Sequence, residues 1–135
     1  MRFIAMVKAS KESEAGVLPS SEMLTKMGEF NEQMIRAGVM LAGEGLQASS
    51  KGSRIKFSGG KPSVTDGPFA ETKELVAGFW LLQVKSKEEA IEWISRAPFT
   101  DAEVEIRQVF EAEDFGDEFT SEMREREEKL RAQIK

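Results

Sequence analysis

The stretch AGFWLLQVKSKEEAIEWISRAP, residues 77–98, decides the fold. Its first nine residues are the most apolar strand-like run in the chain, the pattern of a strand covered on both faces. Ser86-Lys87-Glu88-Glu89 then reads as a capping box, in which the serine hydroxyl accepts from the third amide and Glu89 answers the serine's own amide. The helix it opens carries Ala90, Ile91, Ile94 and Ala97 on one face and stops before Pro98. After it, residues 103–110 alternate cleanly, Val104, Ile106 and Phe110 against Glu103, Glu105 and Arg107. That alternation suits an edge strand.

The N-terminal half has the same order. RFIAMVK (2–8) is a nearly continuous apolar run, followed by a polar loop with Gly16 and Pro19. Ser20 or Ser21 caps a helix whose stripe is Met23, Met27, Phe30 and Met34, widened by Leu24 and Ile35 and ended at Gly38. VMLAGEGLQ (39–47) is a second strand broken by glycines, and RIKFSGGKPSVTDG (54–67) is a hairpin turning at Gly59-Gly60. Pro62 confines its return arm to an edge. Strand, helix, strand, inserted hairpin, strand, helix, strand predicts an α+β, ferredoxin-like domain: a four-stranded antiparallel sheet with two helices on one face. The first and third strands are apolar on both sides, with Phe79 and Trp80 pointing to opposite faces, so the second face needs a cover. A homodimer with sheets face to face, of the dimeric α+β barrel type, supplies it.

Residues 1–112 form that domain and 113–135 an acidic tail with a helix capped by Thr120 or Ser121. Phe119, Met123, Leu130 and Ile134 lie roughly on one stripe of it, so a charged helix held by a few contacts is expected. The chain carries a net charge of −5, concentrated from Glu111 onward over a nearly neutral body. This offers no basic footprint for nucleic acid, and no apolar run is long enough for a membrane. Nor does the short N-terminal run suit a signal peptide, so a soluble, cytoplasmic protein is expected. Zero cysteines and zero histidines exclude disulfides, thiol nucleophiles and histidine-based triads. Tyrosine is absent too, which leaves acid–base chemistry to Asp, Glu or Lys. The acids are dispersed and the methionine stripe is core filling, so no metal and no cofactor are expected.

Two stretches carry the candidate site. In TDGPFAETKE (65–74) Asp66, Glu71, Lys73 and Glu74 surround a rigid bend. One reading is a corner, with Asp66 bonding the amides two residues on and Phe69 plugging the sheet edge. The other is the lip of a pocket, where Asp66, Phe69, Glu71 and Lys73 meet Phe79 or Trp80 and a desolvated carboxylate gains a raised pKa. Glu44, between Gly43 and Gly45 in an apolar strand, is the second candidate, either a close-approach site or a solvent-facing bulge residue paired with Arg54 or Lys56. Neither the Gly43-Glu44-Gly45 run nor GGKPS completes a nucleotide or phosphate motif.

At TDGPFAETKELVAGFWLLQV, with AGVMLAGEGLQ before it and SKEEAIEWISRAP after it, the chain resembles the DGPF-domain branch of the YCII-related family over residues 1–110. The resemblance implies a ferredoxin-like, dimeric fold in a small bacterial protein. Some DGPF domains stand beside extracytoplasmic-function sigma factors, which implies a link to transcription regulation. Other relatives look like enzymes on small aromatic compounds with a histidine and an aspartate as acid–base pair. A rough match puts Met27 and Ala97 at those two positions, so that pair does not carry over. The leading expectation is a homodimer binding a small molecule or a protein partner. Its alternative is a lyase or hydrolase of aromatic compounds using Asp66 and Glu44 with Lys73 as electrostatic helper.

Overall fold

The computed structural model describes residues 1–134. Six strands and four α-helices follow in the order β1 (Arg2–Lys8), α1 (Lys11–Glu14), α2 (Ser21–Arg36), β2 (Met40–Gly45), β3 (Ser53–Ser58), β4 (Lys61–Asp66), β5 (Val76–Gln83), α3 (Lys87–Ile94), β6 (Val104–Gln108) and α4 (Ser121–Arg131). Strands β2-β5-β1-β6 make one four-stranded sheet, with every neighbouring pair antiparallel. The two most apolar strands are central and the alternating β6 is an edge, as their sequences require. Strands β3 and β4 form a separate two-stranded ribbon.

Register explains the core. Phe3 and Ala5 of β1 stand opposite Leu82 and Trp80 of β5, and Ala5 opposite Ile106 of β6. That face buries Phe3, Ala5, Trp80 and Leu82 against Phe30 and Met34 of α2 and Ala90 and Ile94 of α3. Phe30 meets the Trp80 ring edge-on at 5.8 Å between centroids. The mixed α+β architecture is therefore one sheet with α2 and α3 packed on one side. On the other face Ile4, Met6, Phe79 and Leu81 reach only half-burial. Among the described residues no helix is long and apolar enough to cross a membrane.

Local details differ from the sequence reading in three places. Ser86 caps α3 by accepting from the Glu89 amide at 3.1 Å, but Glu89 accepts from the Lys85 amide at 3.0 Å rather than from Ser86 itself. Ile91 is 46% exposed, and Trp93 packs against the core in its stead, on the Ala90–Ile94 side of α3. The loop after β1 contains the single-turn helix α1, with Ser10 and Ser13 satisfying each other's amides. Ser20, not Ser21, caps α2, and Thr120 caps α4.

Candidate functional site

The corner TDGPF joins the ribbon to the body. Asp66 closes the base of the ribbon, accepting a 2.7 Å hydrogen bond from the Ser53 hydroxyl across the strand pair, rather than bonding amides of its own turn. The Gly67 amide donates to the Gly52 carbonyl at 3.0 Å. Gly67 is there because nothing larger fits: a Cβ would lie 1.8 Å from the Ser49 carbonyl oxygen. The Gly67–Pro68 peptide is cis.

Ser49 opens a short 3-10 turn, Ser49–Lys51, and its hydroxyl is used twice. It accepts from the Phe69 amide at 3.1 Å and donates to the Glu14 carboxylate at the end of α1. The Ser49 amide also donates to Glu14, at 2.9 Å. These two bonds, the hydroxyl first, hold the Glu14 carboxyl below its ordinary range. A strut thus runs from α1 through Ser49 to the corner. Beyond it the Arg54 guanidinium lies 3.9 Å above the Phe69 ring and 3.7 Å from Glu71. Sequence reasoning missed Glu14 and Ser49, since neither stands in a motif and they meet only through tertiary structure.

The second 3-10 turn, Thr72–Glu74, carries Lys73 to a cleft of about 1100 Å³ at one end of the sheet. Val7, Leu18, Leu46, Ala77 and Phe99 supply apolar lining from β1, the α1–α2 loop, the loop after β2, β5 and the approach to β6. Lys8, Lys51 and Lys73 stand with Asp101 and Glu103 among its charged lining. Lys8 is tied to Glu105 at 3.3 Å. Among the described residues, Lys51 and Lys73 make no ion pair. Leu18, 84% exposed, is the most open of the apolar lining residues, and the Gly16–Pro19 loop that holds it carries no helical or strand period to announce it.

The predicted site residues fall into four groups. Lys73 lines the cleft, while Asp66, Phe69 and Glu71 belong to the corner behind it. Glu44 is exposed, paired in register with Phe79 on the open face of the sheet. Trp80 is buried in the helix-covered core and donates from Nε1 to the Asn31 side chain at 2.9 Å. It lies 6.1 Å from Phe99, which lines the cleft. The glycine beside Glu44 does permit a close approach, but by Trp80: a Cβ on Gly43 would sit 2.8 Å from Trp80 Cδ1. Met27 and Ala97, where relatives are expected to hold their acid–base pair, pack against the core.

Comparison with known proteins fits this architecture. An uncharacterised protein of Rhizobium meliloti (strain 1021) is 28% identical over 88 residues, spanning 63% of this chain and 71% of its own. The YCII-related domain profile matches residues 1–113, from the first strand past the last strand of the sheet to the start of the acidic tail. The chain belongs to the YCII-related family.

Proposed function

We propose that this is a homodimeric small-molecule-binding protein of the DGPF branch, with a ferredoxin-like domain over residues 1–112 and an acidic tail over 113–135. The observation that carries the binding reading is the cleft of about 1100 Å³ with apolar residues and lysines in its lining. Clefts of this size and mixed character are the usual seats of small ligands. Lys73 is its electrostatic contact and the corner residues Asp66, Phe69 and Glu71 support it. Trp80, one ring away through Phe99, lies close enough to report on occupancy. The strand order β2-β5-β1-β6 supports the ferredoxin-like assignment, and the TDGPFAETKE corner supports the branch.

The dimer reading rests on the half-buried apolar face of Ile4, Met6, Phe79 and Leu81, which a second sheet would cover. Nothing in the geometry favours the carboxylate-enzyme alternative. Asp66 is bonded to Ser53 at the ribbon base, Glu44 stands on the open sheet face, and neither lines the cleft.

The test is a thermal-shift screen of small carboxylic acids and neutral aromatics against the intact protein and a Leu46→Trp variant that places a bulky ring in the cleft wall. A true ligand at about a hundred times its Kd stabilises the wild type by about 2.7 kcal/mol and leaves the variant unmoved. Ligands that stabilise both proteins equally would remove the cleft from the reading.

A further inference from the structure

The charges that line the cleft are sorted to its two sides. The Leu46 amide donates to the Ala77 carbonyl at 2.8 Å, so the chain leaving β2 runs beside the chain entering β5. Lys51 stands five residues after Leu46 and Lys73 four before Ala77, and both line the cleft. The corner ties their two 3-10 turns together, because the Phe69 amide donates to the Ser49 hydroxyl at 3.1 Å. Asp101 and Glu103 belong to the far side, where the Lys8 amide donates to the Glu103 carbonyl at 2.9 Å just before β6. Strand β1 separates β5 from β6, which sets the two sides about 10 Å apart, or two strand spacings.

Lys8 is already tied to Glu105, so the cations left for a ligand are Lys51 and Lys73, which make no ion pair among the described residues. The rest of the lining includes Val7, Leu46, Ala77 and Phe99. At the rim the Gly16–Pro19 loop adds Val17, 61% exposed, and Leu18, 84% exposed. Neither packs against the hydrophobic core, and the Leu18 amide has no hydrogen-bond partner among the described residues. Open apolar side chains mark a surface that a partner covers. Here they stand at a cleft with unpaired positive charge on one side. That pattern suits a molecule that is apolar along its body and negative at one end.

We propose that the cleft takes a monocarboxylic acid with an extended apolar body, its carboxylate held by Lys51 and Lys73 and its body lying on the apolar lining out to Leu18. This rests on the small-molecule-binding reading and adds the class of the ligand, its direction, and Lys51 and Leu18 as contacts. Asp101 and Glu103 fix the direction, because a carboxylate on their side meets like charge. Lysine suits the other end, since an ammonium on a flexible stem pairs with a carboxylate without demanding a fixed fork. The charged end stays beside exposed lysines while the body leaves water, so the two contributions can be measured separately.

Calorimetric titration with octanoate, octanamide and butyrate reads the two ends. The intact protein should bind octanoate about tenfold more tightly than octanamide, which lacks the charge, and at least about tenfold more tightly than butyrate, which lacks the body. Lys51→Met with Lys73→Met should bring octanoate and octanamide to within about twofold of each other. Leu18→Ser should weaken both eight-carbon ligands by about fivefold and leave butyrate unchanged. All three positions are exposed, so these variants keep the fold, which an unchanged unfolding midpoint verifies. Equal affinity for octanoate and octanamide in the intact protein overturns the anionic end, and a Leu18→Ser protein that loses nothing overturns the placement of the body. If none of the three compounds binds while another stabilises the intact protein and not Leu46→Trp, the class is wrong and the cleft reading stands. If no compound of either set binds, both readings fall.

Discussion

Replacing Gly67 by alanine tests whether the corner is the clamp that holds the ribbon. The new Cβ would lie 1.8 Å from the Ser49 carbonyl oxygen, where 3.0 Å is about the closest a Cβ approaches, so the segments must part by about 1.2 Å. The obstacle is backbone, so no side chain can swing aside. That displacement breaks or stretches two hydrogen bonds, Gly67 to Gly52 and Phe69 to Ser49, worth about 0.5–1.5 kcal/mol each. The sum, about 1–3 kcal/mol, matches the usual penalty for forcing extra atoms into packed structure. It falls on the ribbon rather than on the whole domain, because the ribbon shares no strand with the four-stranded sheet. Amide hydrogen exchange is the assay. Amides of β3 and β4 should exchange about 10–100 times faster in Gly67→Ala, while those of β1 and β5 stay unchanged. If ribbon exchange stays within about twofold of wild type, the Ser49 contact is not what holds the corner, and the strut reasoning fails.

Three further outcomes follow from the same geometry. Leu82→Ala empties a fully buried site between Phe3 and Met40 and should lower stability by about 2–5 kcal/mol in urea unfolding. The Glu14 carboxyl is depressed by its Ser49 bonds, so the strut's contribution is fully present above the unfolded value of about 4.3 and is lost as pH falls through the lower folded value. The Phe69 amide resonance should therefore titrate at acid pH in the wild type and lose that step in Glu14→Gln. Glu111, depressed chiefly by its Arg2 bonds, follows the same sign, and Arg2→Ala should raise exchange across residues 111–119 without touching the central strands.

What the sequence discloses follows the range of the interaction. The central strands, the Ser20 cap, the Gly59-Gly60 turn and the β6 edge are written in local periodicity and hydroxyl placement, and the structure has them there. Trp80 shows why side-chain chemistry alone misleads about sites. An aromatic residue in a candidate pocket and one in a core have the same sequence signature, and only the β1–β5 register sends this one to the helices. Ile91 and Trp93 trade places for a related reason, since each sits one residue from the buried Ala90–Ile94 stripe and only tertiary packing decides which turns inward. The cleft was illegible because its walls come from five separated segments, and the residues that line it, such as Leu18 and Phe99, sit in loops without a period.

TDGPFAETKE reads as either a corner or the lip of a pocket, yet the geometry links the two. Phe69 is fixed by Ser49 on one side and Arg54 on the other, and Lys73 follows four residues later on a single 3-10 turn. So short a tether lets little of a displacement at the corner dissipate before it reaches the lysine. The close approach at Gly67 therefore sets where a positive charge stands at the cleft, although no corner carboxylate lines it. On the proposed binding reading, a structural corner then has a functional consequence without holding a ligand itself. Gly67→Ala should weaken anionic ligands of the cleft, measured by titration of Trp80 emission, by about the factor that Lys73→Ala does, and should leave neutral ligands nearly unaffected. Equal losses for neutral and anionic ligands would instead mean that the corner shapes the apolar lining.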